Sequence, residues 1–303
     1  MATGPQKIVP HLWFDRQAEE AAQLYTSTFK DSRTGSVTRY TSAGFETHHM
    51  PEGMAMTVDF EVEGYRFIAL NGGPLFKFNP SISFMVPFET VEEVDAAWVR
   101  LSEGGKPLME LGEYPFSKRY GWTEDRYGVS WQLMLAAGIP PGHNLTPTLM
   151  FTGDKCGKAE EAVNLYTSMF NSSKVEHIQR YEKGIEPDRE GTIQHAGFIL
   201  ESQSFAAMDS ALEHNFTFNE AVSLMVRCET QEEIDRYWKL SAVPEAEQCG
   251  WLKDRFGVSW QVTPTILGKM LSDPDRAKVE RVTNAFLKMK KFDIAELKKA
   301  YEG

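Results

Sequence analysis

The alternation of apolar and polar residues changes period several times along the chain, always in the same order. Lys7–Phe14 is a short apolar run and predicts a strand. Asp15–Phe29 then places Ala18, Ala21, Ala22, Tyr25 and Phe29 at helical spacing. Ser36–Tyr40, Met54–Val62 and Tyr65–Leu70 predict strands, the last two joined by a tight turn at Glu63-Gly64. The unit is βαβββ, and the pattern then restarts. Ile82–Pro87 predicts a strand, and Thr90–Leu101 a helix with Thr90 as N-cap and Glu93 three residues on, a capping box. Strands follow near Lys106–Leu111, Phe116–Gly121 and Val129–Leu135.

The whole pattern then occurs again. AEEAAQLYTSTF (18–29) is answered by AEEAVNLYTSMF (159–170), and Thr38-Arg39-Tyr40 by Gln179-Arg180-Tyr181. FNPSISFMVPFETVEEVDAAW (78–98) is answered by FNEAVSLMVRCETQEEIDRYW (218–238), and GWTEDRYGVSWQ (121–132) by GWLKDRFGVSWQ (250–261). Blocks in one order with small indels mark a tandem duplication. Residues 7–135 and 145–263 are the two copies, joined by the Pro- and Gly-rich segment Ala136–Pro147. Four βαβββ modules of strands and helices predict an α+β fold. The expected division is 1–140, 141–268, and a helical extension over 269–303. In that extension Ser272-Asp273-Pro274 predicts a helix start reaching about Lys290, and Asp293 a second helix over Ile294–Ala300. The extension is expected to pack against a cup or a neighbouring subunit.

Composition narrows the function. The net charge of −11 and pI near 5.2 disfavour nucleic acid and anionic membranes as partners. Three cysteines without CxxC spacing point to reduced thiols. With no signal-like N-terminus and no long apolar stretch, a cytoplasmic protein is expected.

The repeated blocks also carry a resemblance. PHLWF followed by AEEA, then ISFMV, then GW-x-x-DRxGVSWQ resembles the PhnB-like branch of the vicinal-oxygen-chelate (glyoxalase/bleomycin-resistance/dioxygenase) superfamily. Proteins of that branch often carry the label 3-demethylubiquinone-9 3-methyltransferase. The resemblance covers both copies. It implies that the paired modules of each copy close a curved mixed sheet, with outer helices, into an open cup. Single-copy relatives typically dimerise, so the chain is expected as a monomer of two cups or as a homodimer. The methyltransferase label implies S-adenosylmethionine, yet no glycine-rich loop follows an apolar strand. Gly72-Gly73 and Gly104-Gly105 read as turns.

Metal-dependent members of the superfamily place ligands on the first strand of each module and on the final strand. By resemblance those positions are His11, about Ser81 and Gln132 in copy one, and Thr148, about Ala221 and Gln261 in copy two. One imidazole and an amide fall short of the three N/O ligands that hold a divalent transition metal. No cofactor is therefore expected, and a metal-dependent lyase, isomerase or dioxygenase built on His11 is the alternative. His11 reads either as a polar anchor or base in the cup, or as a half-buried imidazole satisfied by a backbone carbonyl. Gln132 and Gln261 follow Trp131 and Trp260, so Gln and Trp of each pair face opposite sides of a strand. Asp125-Arg126-Tyr127-Gly128 and Asp254-Arg255-Phe256-Gly257 read as hairpin turns more readily than as catalytic groups, although Arg126 and Arg255 suit a carboxylate or phosphonate. Glu19-Glu20 and Glu160-Glu161 complement helix dipoles. Cys249 has no base nearby in sequence, and a metal pair from His195 and His214 has little support.

The strands are rich in aromatic residues, which favours a small organic ligand, aromatic or amphipathic. The better pocket is expected in copy one, floored by Trp13, Phe60 and Trp131, with His11 and Gln132 among its few polar groups. Copy two, with Thr148 and Gln261, is expected to have its cup filled or covered by the C-terminal helix.

Overall fold

The structure is a computed structural model that describes residues 6–42, 45–136, 138 and 145–303. Most of the linker expected at 136–147 lies outside the described residues. The first module comprises β1 (Ile8–Phe14), α1 (Ala18–Thr28), β2 (Arg33–Arg39), a single turn α2 (Phe45–His48), β3 (Ala55–Val62) and β4 (Tyr65–Asn71). The second comprises β5 (Ile82–Phe88), α3 (Val91–Ser102), β6 (Lys106–Tyr114), β7 (Ser117–Glu124) and β8 (Ser130–Leu135). Copy two repeats them as β9 (Thr146–Phe151), α4 (Ala159–Met169), β10 (Lys174–Arg180), β11 (Ile193–Leu200) and β12 (Gln203–Asp209). Its second module is β13 (Val222–Cys228), α5 (Gln231–Tyr237), β14 (Trp251–Lys253) and β15 (Ser259–Pro264). Helices α6 (Thr265–Leu271), α7 (Arg276–Phe286) and α8 (Ile294–Glu302) form the extension. The capping box at α3 is present: Thr90 accepts from the Glu93 amide and Glu93 from the Thr90 amide. Helix α7, however, starts at Asp275, whose side chain accepts from Ala277 and Lys278, three residues past the Ser272 expected from sequence.

The α+β architecture of duplicated modules is as the pattern dictates, but the modules pair across the copies. One sheet has seven strands in the order β14-β15-β13-β1-β4-β3-β2, the other eight in the order β10-β11-β12-β9-β5-β8-β7-β6. Each joins the first module of one copy to the second module of the other. The seams are antiparallel: β1 meets β13 with His11 opposite Ser223, and β5 meets β9 with Ser83 opposite Thr148. The expectation that each copy closes a sheet of its own is therefore corrected. The repeat itself explains the difference, because β5 and β13 are its matching strands and offer β1 equivalent partners. What selects between them is the path of the segments leading into β5 and β13. These segments lie side by side, Asn79 Nδ2 donating to the Thr217 carbonyl (3.0 Å) and Asn219 Nδ2 to that of Lys77 (2.9 Å). Gln203, at the start of β12, ties the eight-stranded sheet to β1 of the other, accepting from the Ile8 amide at 2.7 Å and donating to its carbonyl at 2.8 Å.

Strand alternation gives each sheet two unlike faces. Along β1, Ile8, Leu12 and Phe14 join the apolar core, while His11 and Trp13 face the other way. The core side packs the helices, and here contacts run within a copy. Tyr25 of α1 lies 5.0 Å from Trp131 of β8, and Phe67 of β4 lies 5.0 Å from Phe84 of β5. In copy two, Tyr166 of α4 and Phe170 just past its end pack on Trp260 of β15 at 5.2 and 5.4 Å. The helix-side aromatic contacts thus run within a copy, whereas the opposite face of each sheet is shared between copies.

The seven-stranded sheet is one strand short because the 241–249 segment that precedes β14 is shorter than its counterpart in copy one. The C-terminal extension covers the exposed edge. The amides of Cys249 and Gly250 donate to the carbonyls of Met289 (2.8 Å) and Lys290 (2.7 Å), and Gln248 Nε2 to Leu287 (2.8 Å). None of the described helices is long and apolar enough to cross a membrane.

Candidate functional site

On the face of the seven-stranded sheet turned away from the helices, the seam brings together side chains that are distant in sequence. Register places His11 of β1, Ser223 of β13 and Ser259 of β15 in one row across three strands. Gln261 stands one step along β15, opposite Met225, and donates from Nε2 to Ser223 Oγ at 2.9 Å. Trp251 of β14 pairs with Gln261 in register and turns its indole edge-on to the His11 imidazole, centroids 5.9 Å apart. Trp13 lies 6.1 Å from Trp251 and is fixed by its own indole N–H, which donates to the Gly73 carbonyl at 2.8 Å. Gly72 passes so close over the Trp13 ring that a Cβ there would collide with it.

This row is buried, and its hydrogen bonding within the chain is incomplete. His11 is 4% exposed and Ser259 1% exposed, yet His11 Nδ1 and Ser259 Oγ have no hydrogen-bond partner among the described residues. An unmade bond on a buried polar atom costs on the order of 1–3 kcal/mol, so a protein keeps one where something else completes it. Burial pushes the His11 imidazole down to about 4, so at neutral pH it is uncharged and offers one acceptor and one donor nitrogen.

The eight-stranded sheet provides the contrast. There the equivalent row is Thr148, Ser83 and Ser130, with Gln132 one step along β8. Every member has a partner. Tyr120 donates to Gln132 Oε1 (2.7 Å), Gln132 Nε2 to Ser83 Oγ (2.7 Å), Trp122 Nε1 to Ser130 Oγ (2.7 Å), and Thr148 to the Thr146 carbonyl (3.4 Å). The seven-stranded sheet has Cys249 in place of Tyr120, and Trp251 turns to His11 rather than to Ser259. One row has closed on itself and the other has not.

The residues expected from sequence fall into three places. His11, Trp13 and Gln261 come together on the seven-stranded sheet. Gln132, expected beside His11, lies on the other sheet. Phe60 and Trp131, expected as the floor, lie on the helix-packed side, where Trp131 Nε1 donates to Asp125 at 3.0 Å and Phe60 stacks on Phe67 at 5.3 Å. Sequence reasoning misses Trp251, Ser223 and Ser259. The signal for Ser259 is in the motif: if Trp260 faces the core, Ser259 and Gln261 on either side of it share the opposite face.

A metal of the kind the superfamily uses does not fit these residues. The row supplies one imidazole, an amide and hydroxyls, and no carboxylate. Among the described residues no three His, Cys, Asp or Glu side chains converge. Elsewhere, His195 bonds His177 (Nδ1 to Nε2, 2.9 Å) and His214 bonds Ser210 (2.8 Å), so those histidines serve separate local contacts. Cys249 lies beside the Phe286 carbonyl, and burial pushes its thiol up, the opposite of an activated nucleophile.

The family model described as 3-demethylubiquinone-9 3-methyltransferase matches residues 6–134 and again 143–263. A putative 3-demethylubiquinone-9 3-methyltransferase, PhnB protein, from Bacillus cereus is 41% identical over 43% of this chain and 100% of its own length, with a TM-score of 0.40. A point mutant of glyoxalase I from Zea mays is 11% identical over 85% of this chain and 94% of its own, with a TM-score of 0.51, a likeness of fold alone. No curated protein matches the chain. Two matches of one family model, one per copy, make the chain a tandem-duplicated member of the PhnB-like 3-demethylubiquinone-9 3-methyltransferase family, with the α+β fold of the vicinal-oxygen-chelate superfamily.

Proposed function

We propose that the chain binds a small, uncharged organic molecule on the face of the seven-stranded sheet turned away from the helices, without a divalent metal or S-adenosylmethionine. The observation that carries this reading is the pair of buried, unpartnered atoms, His11 Nδ1 and Ser259 Oγ, beside two indoles. An apolar site with a few convergent polar atoms is the usual form of a small-molecule site. The row offers a neutral imidazole and hydroxyls with no cation, so it suits a phenol, enol or ketone better than a carboxylate. His11 would orient the ligand's hydroxyl or carbonyl, and Trp251 and Trp13 would flank its ring.

The test is titration of the full chain with a panel of phenols and aryl ketones, followed by calorimetry and tryptophan fluorescence. Ligands that bind are expected to lose on the order of tenfold in affinity in Ser259→Ala and in Gln261→Ala, and nothing in Gln132→Ala. Equal losses in Gln132→Ala would move the site to the other sheet. Stoichiometric metal in the purified protein, lost in His11→Ala, would replace this reading with the metal-dependent one. Heat on adding S-adenosylmethionine would restore methyl transfer.

A further inference from the structure

A second cleft lies past the C-terminal end of β1, bounded by the 74–78 segment and the 126–127 turn, with a volume of about 390 Å³. Its walls are largely aromatic. Trp13 meets Phe76 edge-on at 5.0 Å, and Phe14 meets Phe78 and Tyr127 in the same way at 4.9 and 5.9 Å. Among these walls stand two cations, Lys77 and Arg126. Arg126 reaches Glu103 at 3.0 Å, but that carboxylate is 77% exposed and easily exchanged. Lys77 makes no ion pair among the described residues. The one anion in the lining, Asp15, faces Arg16 at 3.9 Å.

Copy two shows what the same place looks like when it is closed. Thr152 stands where copy one has Asp15, and its hydroxyl donates to the Phe216 carbonyl at 2.7 Å, drawing that segment onto the strand. Thr217 replaces Lys77, and Arg255 lies over the Phe256 ring at 5.1 Å and bridges Glu161 at 3.2 Å. In copy one Asp15 stands in place of Thr152, and Phe76 meets Trp13 edge-on beside the open space. We propose that this cleft is a second ligand site, adjacent to the His11 row and sharing only Trp13 with it, that takes a planar aromatic carboxylate. The ring packs among Trp13, Phe76 and Tyr127, and the carboxylate is met by Lys77 and by Arg126, whose fork matches its geometry.

The probe is 1-naphthoate, with 1-naphthamide as its uncharged counterpart, titrated into the full chain by calorimetry and tryptophan fluorescence. Saturable binding of naphthoate is expected, at least tenfold tighter than naphthamide. It should weaken at least tenfold in the Lys77→Ala/Arg126→Ala pair and be unchanged in Ser259→Ala. Both mutated side chains are partly exposed and outside the core, and Arg126→Glu alone should weaken binding similarly. No saturable binding of naphthoate overturns the proposal. So does equal binding of the amide, or affinity that survives both charge changes. Loss in Ser259→Ala instead would place the naphthoate on the His11 row, overturning this site while supporting the other.

Discussion

Asp125 and Asp254 show how one residue type ties a copy together. Each carboxylate is nearly inaccessible and accepts four hydrogen bonds. Asp125 takes Tyr25 (2.7 Å), Trp131 (3.0 Å) and the amides of Tyr127 and Val129; Asp254 takes Tyr166 (2.7 Å), Trp260 (2.9 Å) and the amides of Phe256 and Val258. The first helix of a copy is thereby fastened to its last hairpin. Asp254→Asn keeps the shape but turns a donor toward donors, and should cost about 2–4 kcal/mol in urea unfolding. A loss below about 0.5 kcal/mol would mean the network is dispensable. His11 gives a pH signature of its own. Its folded value, about 4, lies below the ordinary 6.5, so the unfolded chain takes the proton first. Its share of stability is complete above about pH 6.5 and shrinks as pH falls toward 4, by up to about 3 kcal/mol. The unfolding free energies of wild type and His11→Asn should therefore converge or cross as pH drops from 7.5 to 4, and a constant gap would contradict the buried neutral imidazole. At this scale the sequence was partly legible. The Asp-Arg-x-Gly turn and the strand bearing His11 could be read from residue types. The side on which Trp131 and Phe60 lie was marked as well, by Ser130 and Gln132 flanking the one and Asp59 and Glu61 flanking the other. Residue types did not tell which of the two faces carries the candidate site.

At the scale of elements, what needed the structure was the edge of β14. Periodicity locates helices in the extension, but it does not show that Met289 and Lys290 take over the hydrogen bonds of a missing strand. The fit there is close. Gly250 has φ +83°, and a Cβ would run into the Phe292 ring and the Val262 carbonyl. Gln231 of α5 holds the same stretch, donating to the Phe292 carbonyl (3.1 Å) and accepting from the Ile294 amide (3.0 Å). Gly250→Ala should thus lose about 2–4 kcal/mol, from the left-handed backbone and the collision together. Ending the chain at Leu271 leaves the Cys249 and Gly250 amides bare on an open edge. Such a protein is expected to self-associate in light scattering as concentration rises. A monomeric, equally stable truncation would show that the extension is ornamental to this sheet. Helix α6 was missed because it begins directly after β15, where no polar break separates the two periods.

At the scale of the molecule, two kinds of connection run at cross purposes. Core-side aromatic contacts, such as Tyr25 and Phe84 with Trp131 in copy one and Tyr166 with Trp260 in copy two, run within a copy, although the buried apolar residues of both copies join in one continuous core. Strand ladders run between copies, and the candidate site lies on one of those seams. Repeat spacing reveals the first kind, since the modules of a copy are neighbours in sequence. The second is silent in the sequence, because β5 and β13 are equivalent strands of the repeat, with the same Ser, Met and Val at matching positions, and either can offer β1 a partner. The consequence is measurable. A fragment of residues 1–142 keeps its core-side contacts but leaves β1 and β5 without their partners β13 and β9. Two such fragments can pair β1 of one with β5 of the other, reproducing both seams with copy-one strands alone. The fragment is thus expected to be a dimer by light scattering, as is 143–303, and mixing the two after refolding should yield heterodimers. The site also supplies a distinguishing readout. His11 comes from the first fragment and Trp251, Ser259 and Gln261 from the second, so a ligand of the His11 row should bind the heterodimer and neither homodimer. Stable monomers of either fragment, or full binding by 1–142 alone, would show that a copy closes its own sheet after all.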